Sequence, residues 1–157
     1  MVEMFTKFVN EENYLRPSRT LNWRSSNLRS FAEIPFAIEE ILGLLDTAGF
    51  SRQEKFAVRL SLEEALVNAI KHGHKGDPSK EVQLRHKLAP EYLLVEIEDQ
   101  GPGFNPDDVP DPFVPENQER ASGRGLLLMR NYMTWVEFND AGNCVTICRR
   151  RSRSIPS

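Results

Sequence analysis

The stretch Ser61-Leu62-Glu63-Glu64-Ala65-Leu66-Val67-Asn68-Ala69-Ile70-Lys71-His72-Gly73 sets the frame for the whole chain. A helix advances about 100° per residue, so positions four apart share a face. Glu64 and Asn68 therefore stack, Lys71 and His72 fall on roughly the same stripe, and Glu63 points elsewhere. Leu62, Ala65, Leu66, Val67, Ala69 and Ile70 surround that stripe and place it at the boundary of a core. A carboxylate and an amide oxygen side by side suit a proton acceptor and a ligand for a hard cation. The same residues also suit an ordinary solvated helix face. Ser51, with Glu54 three residues later, reads as a capping box, so the helix is expected over 51–72 with Gly73 as its stop.

Working outward, Leu28, Phe31, Ile34, Ile38, Ile41, Leu42 and Leu45 follow helical spacing over 28–48. Pro35 starts or kinks that helix and Gly49 ends it. A short strand is expected at 20–25, behind an irregular arm over 1–18. After a turn at 74–80, strands are expected at 81–88 and 92–99, joined through Ala89-Pro90-Glu91. Residues 100–123 form a loop with five of the chain's 10 prolines. A short helix over 124–133 and strands at 134–139 and 143–149, turning at Asp140-Ala141-Gly142, complete the pattern. The expected architecture is α+β: a two-layer sandwich with an antiparallel-rich mixed sheet and helices on one face. The domain is placed at 19–151, and the basic end, Arg149-Arg150-Arg151 and Arg153, reads as a solvated tail.

A second cluster of chemistry follows the strand Tyr92-Leu93-Leu94-Val95-Glu96-Ile97-Glu98. Asp99 falls in phase with the apolar Leu93, Val95 and Ile97, and a carboxylate on an inward face needs partners. Gly101 and Gly103 let backbone approach a flat ligand closely. An adenine whose amine donates to Asp99 fits there, and so does a plain turn, since Asp and Gly are common turn formers. In a third cluster, Ser122-Gly123-Arg124-Gly125-Leu126, glycines open a helix whose free N–H groups suit phosphate oxygens. Arg124 either touches phosphate or faces solvent.

Composition narrows the function classes. The chain has 157 residues, is 39% hydrophobic and carries a net charge of −3, which suits one folded domain and argues against a general nucleic-acid binder. Neither a signal-peptide core nor a membrane-spanning run is apparent. Cys144 and Cys148 lie four apart in an extended segment, read as free thiols in a reducing, cytoplasmic setting. His72, His74 and His86 show no zinc-site spacing and read as surface or hydrogen-bonded residues.

Taken in order, Glu-x-x-x-Asn-Ala-x-x-His-Gly (64–73), Asp-x-Gly-x-Gly-Phe (99–104) and Ser-Gly-x-Gly-Leu (122–126) resemble the GHKL ATPase superfamily with its Bergerat ATP-binding fold. The resemblance covers about residues 20–150. The short lid, the free-standing domain and Met129-Arg130-Asn131-Tyr132-Met133 are similar to the bacterial anti-sigma-factor serine/threonine kinases. This resemblance implies ATP and Mg2+ as cofactors, Glu64 as general base, Asn68 as magnesium ligand and Asp99 as reader of adenine. It implies that Gly101 and Gly103 lie beside the base and that Gly123 and Gly125 close on the phosphates, with Lys71, His72, Ser122, Arg124 and Leu126 at the same site. That group carries an arginine directly before Ser-Gly-x-Gly; here Ala121 stands there and Arg120 lies one residue early.

The implied partners are a STAS-domain anti-sigma antagonist that accepts phosphate on serine, a sigma factor, and a second copy in a homodimer; no nucleic acid or membrane is implied. Residues 107–122 are expected to act as a lid. Two other readings stay open: a partner-sequestering module that binds ATP with little kinase activity, and a detached ATPase domain of the histidine-kinase type.

Overall fold

In the computed structural model, which describes residues 23–74, 77, 79–101 and 121–152, the N-terminal arm, Gly103, the proline-rich loop with Arg120 and the last five residues lie outside the described residues. The chain runs β1 (Trp23–Leu28), α1 (Ile34–Thr47), α2 (Arg52–Asn68), β2 (Val82–Ala89), β3 (Tyr92–Glu98), α3 (Ala121–Tyr132), β4 (Trp135–Phe138) and β5 (Cys144–Arg150). A 3-10 turn (Phe31–Glu33) leads into α1, and a π-helical turn (Ala69–His74) follows α2. No helix among the described residues is long and apolar enough to cross a membrane.

Pro35 sits in the first turn of α1, where its missing N–H costs nothing, so it starts the helix and does not kink it. Ile34, Ile38, Ile41, Leu42 and Leu45 form the buried stripe. The helix stops at Gly49, whose φ of 84° suits a residue without a side chain. Phe50 N–H then donates to Leu45 O (3.0 Å) and Gly49 N–H to Asp46 O (3.2 Å), while buried Phe50 and Leu45 close the turn as a Schellman motif.

Helix α2 opens on the expected capping box: Ser51 Oγ accepts from Glu54 N–H (3.1 Å) and Glu54 Oε1 accepts from Ser51 N–H (2.8 Å). Glu54 is buried, and its other oxygen accepts from Ser152 N–H (2.6 Å), tying the chain beyond β5 to the start of α2. Burial works against that charge, but the hydrogen bonds from Ser51 and Ser152 outweigh it and hold the carboxyl below its usual range.

The five strands pair in the order β1-β2-β3-β5-β4, every pairing antiparallel. A mixed component is thus absent among the described strands. Leu84, Ile97 and Val145 stand in register across β2, β3 and β5 and, with Leu93, Val95 and Ile147, meet the helices in one core. Gly142, with φ 75°, turns the β4–β5 hairpin where Asp140-Ala141-Gly142 predicted it.

Several boundaries differ from those read in the sequence. Strand β1 ends at Leu28 and includes Ser25, Ser26 and Asn27; an edge strand tolerates polar residues, and pairing with β2 sets its limits. Helix α3 starts at Ala121, before the expected 124, so Ser122, Gly123, Arg124 and Gly125 lie inside its first turns. Each glycine weakens the local helical signal by about 1 kcal/mol, and packing against α2 restores it. The basic end is not a solvated tail throughout. Arg149 Nη1 donates to Tyr132 O (2.5 Å) at the end of α3, and Arg151 Nε donates to Pro90 O (3.1 Å).

His86 also departs from expectation. It lies on the helix-facing side of β2, 5% exposed, and neither ring nitrogen has a hydrogen-bond partner among the described residues. Burial pushes its imidazole below the ordinary value, outweighing the Glu40 carboxylate of α1, which pulls upward; Arg24 of β1 adds to the lowering. The unfolded chain therefore takes up this proton first. Stability from the neutral ring is full above about pH 6.5 and is lost as pH falls from there towards the folded pKa. His86→Leu is expected to stabilise the protein by about 1 kcal/mol at neutral pH, by removing two unsatisfied polar atoms. It should also flatten the decline towards about pH 5. Urea unfolding of both proteins at the two pH values checks this, and identical pH dependence would refute it.

Candidate functional site

The helical stripe is realised up to Asn68. Glu64 and Asn68 are half-buried on one face of α2, and Glu63 is exposed on another. Asn68 Nδ2 donates to Glu64 Oε1 at 3.1 Å. A carboxylate only accepts, so this bond fixes the amide orientation and turns Asn68 Oδ1 the other way. That oxygen is buried and has no hydrogen-bond partner among the described residues. A hard oxygen kept from water beside a carboxylate is a donor set of the kind a magnesium ion takes.

Helix α3 crosses this stripe antiparallel to α2. Phe56 meets Tyr132 edge-on, ring centroids 6.4 Å apart, and Glu64, later in α2, meets Gly125, earlier in α3. A Cβ on residue 125 would stand 2.0 Å from Glu64 Oε1 and 2.3 Å from its Cγ. No side chain fits there without moving the carboxylate. Gly125 thus has a steric role towards Glu64 that its place in a glycine motif did not signal.

Beyond Asn68 the expected stripe breaks. The backbone passes into the wider π turn, which rotates later positions out of the α-helical phase, and Lys71 is exposed. His72 lies in the same turn. Leu126, expected at the same site, is 5% exposed, with its side chain in the main core. Ser122, Gly123 and Arg124 lie in the first turns of α3, and Arg120 and Gly103 fall outside the described residues.

Asp99 and Gly101 form a second group just past the end of β3. Asp99 Oδ1 accepts from Gly101 N–H at 2.8 Å, so the turn reading of this segment holds for one carboxylate oxygen. Asn143 fixes the backbone of Asp99 from the turn just before β5: Asp99 N–H donates to Asn143 O (2.9 Å), and Asn143 Nδ2 donates to Asp99 O (3.3 Å). Asn139 in turn holds Asn143, through Asn139 Nδ2 to Asn143 Oδ1 (2.8 Å) and Asn143 N–H to Asn139 Oδ1 (3.0 Å). The sequence pointed to this hairpin only as a turn. The asparagines flanking Asp140-Ala141-Gly142 were the available signal for a support behind Asp99.

This arrangement defines a class. The chain matches the histidine kinase-like ATPase domain over residues 26–149 and belongs to that family, within the GHKL superfamily. Among curated proteins it is similar to the serine-protein kinase RsbW of Bacillus licheniformis, 29% identical over 118 residues that span 71% of this chain and 74% of that protein. It is similar to the anti-sigma F factor of Bacillus cytotoxicus, 32% identical over 114 residues spanning 71% of this chain and 75% of that protein. The serine-protein kinase RsbW of Listeria innocua is 27% identical over 114 residues, 68% and 73% of the two chains.

The Glu64–Gly125 contact separates stability from geometry. Gly125→Ala improves helix propensity by up to about 1 kcal/mol, so the melting temperature should hold or rise. The methyl group should nonetheless displace Glu64 and break its bond to Asn68. The side-chain amide signals of Asn68 in an NMR spectrum report this directly, and unchanged signals in a folded Gly125→Ala protein would show that Glu64 has room to spare.

Proposed function

We propose that this protein is a serine/threonine protein kinase that acts as an anti-sigma-type switch, moving the γ-phosphate of ATP to a serine of a STAS-domain partner. The observation that carries this reading is the Glu64–Asn68 pair seated against Gly125, a positioned carboxylate beside a buried amide oxygen with no hydrogen-bond partner among the described residues. The names of the relatives, a serine-protein kinase and an anti-sigma F factor, support it. A sigma factor as second partner and a homodimer belong to the same proposal.

The residues present fit Mg·ATP. Asn68 Oδ1 would hold the magnesium ion, which supplies charge neutralisation at the phosphates when bound. Asp99 would accept from the adenine amine, with Gly101 and Gly103 beside the ring. Gly123 and Gly125, with Ser122, Arg124 and the backbone at Leu126, would face the phosphates, and Lys71, His72 and Arg120 would add polar contacts. Glu64 would accept the proton of the partner's serine hydroxyl while that oxygen bonds to the γ-phosphorus and ADP departs.

Asp99 sets the nucleotide preference. Guanine presents a carbonyl oxygen where adenine presents an amine, so a charged hydrogen bond worth roughly 1.5–3 kcal/mol is replaced by repulsion. Calorimetry should show strong preference for ATP over GTP, and Asp99→Asn should weaken ATP binding without unfolding the protein. Equal affinity for the two nucleotides would remove Asp99 from this role.

Phosphotransfer tests the reaction. Labelled ATP and the STAS-domain protein encoded nearest this gene should yield phosphoserine on that protein. Glu64→Ala should keep nucleotide binding and lose about 10²–10⁴-fold in rate. One residue favours the other reading, a module that binds ATP and sequesters its partner: Ala121 stands directly before Ser122-Gly123-Arg124-Gly125, where an arginine would meet the γ-phosphate. An ATP-binding preparation that holds the STAS protein without labelling it would put that module in the kinase's place.

A further inference from the structure

Just past the end of β3 the chain is gripped from both sides by amide side chains. Continuing the pairings of Leu28 with Val82 and of Gln83 with Glu98 brings Arg29, Glu81 and Gln100 abreast, beyond the last paired residues of β1, β2 and β3. Gln100 closes that row: its Oε1 accepts from Glu81 N–H at 2.9 Å. A side chain thus makes a bond of the kind that backbone carbonyls make inside the sheet. Glu81 is held in its turn, because Arg29 Nε donates to Glu81 Oε1 at 2.8 Å and Arg29 Nη2 donates to the same oxygen. Arg29 N–H donates to Glu33 Oε1 (3.3 Å), which ties the row to the turn that leads into α1.

We propose that Gln100 and Asn143 are positioning residues for Asp99, and that together they set how strongly the site prefers adenine. The inference rests on the reading of Asp99 as the group that accepts from the adenine amine. Asn143 acts from the β5 side, where Asn139 Nδ2 occupies its Oδ1 and so leaves Nδ2 as the atom that donates to Asp99 O. Gln100 acts from the β2 side and anchors the next residue along the chain.

The need for such a grip comes from where Asp99 stands. Strand β3 ends at Glu98, one residue earlier, and the ends of elements open at little cost in free energy. A group that selects a ligand has to be held to within about 0.5 Å. The two amides supply that restraint through the backbone, and Gly101 N–H, donating to Asp99 Oδ1, then orients the carboxylate. Losing either amide lets the carboxylate wander, which weakens its bond to an amine. A guanine has no amine at that position to lose, so its binding is unharmed. A merely structural bond would act on both nucleotides alike.

Two full-length variants test this. Gln100→Met keeps the side-chain length at an exposed position and removes the acceptor, so the fold is not at risk. Asn143→Ala removes the side-chain donor and leaves the backbone bond from Asp99 N–H in place. Each should weaken ATP about three- to tenfold, the worth of one hydrogen bond, while GTP, measured by competition against a fluorescent nucleotide, binds as before or better. In the nucleotide-free proteins the Gly101 amide should exchange its hydrogen several-fold faster than in the wild type. If Asn143→Ala fails to fold, Gln100→Met decides alone. ATP affinity unchanged, or ATP and GTP weakened by the same factor, would overturn the proposal while the role of Asp99 stands. Equal affinity of the wild type for ATP and GTP would remove Asp99 as the reader of adenine, and this inference with it.

Discussion

Helices α2 and α3 approach so closely at residue 125 that the space a methyl group would need is taken by the Glu64 carboxylate. Much of the site depends on that contact. It limits the rotamers open to Glu64, and the bond from Asn68 Nδ2 then fixes the amide and turns Asn68 Oδ1 away from the carboxylate. Glycine at this position weakens α3 as a helix, and the close crossing that glycine allows is what positions the acid.

The remaining elements keep that crossing in place. At the far end of α3, Arg149 from β5 donates to the Tyr132 carbonyl, where a cation favours the helix dipole. Phe56 and Tyr132 pack edge to face between the same two helices. The start of α2 is held by Glu54, which caps the helix and also binds Ser152 N–H beyond β5. The surface pairs Lys55–Asp46 (2.7 Å) and Arg59–Glu39 (2.6 Å) link α1 to α2, but exposed pairs of this kind add little, typically under about 1 kcal/mol. The core beneath, from Ile38, Leu45 and Leu62 to Ile97 and Ile147, supplies most of the restraint.

Asp99 is supported differently. It is held from the sheet, by backbone bonds to Asn143 and by its own turn with Gly101, with Asn139 behind Asn143. The site's proposed acid–base group thus rests on helix packing, and its proposed base-reading group rests on a strand end. Under the proposed function, these two supports serve one nucleotide. A nucleotide must be gripped at its base and at its phosphates by parts of the fold that are separately braced.

Much of this was legible in the chain itself. Ser51 and Glu54 announce a helix start, Gly49 and Gly142 announce turns, and Glu64 and Asn68 share a face, because capping, positive φ and the helical repeat are local properties. The apolar alternation of Leu93, Val95 and Ile97 likewise declares one side of a strand. What the sequence could not show depends on partners distant along the chain. The start of α3 at Ala121 runs against its own glycines and is stabilised by α2. The orphaned nitrogens of His86, the bond from Arg149 to Tyr132 and the hold of Asn143 on Asp99 all arise from strand order, which no local pattern encodes. Periodicity placed Glu64 on a face; only the packing of one helix on another decided that a glycine had to stand against it.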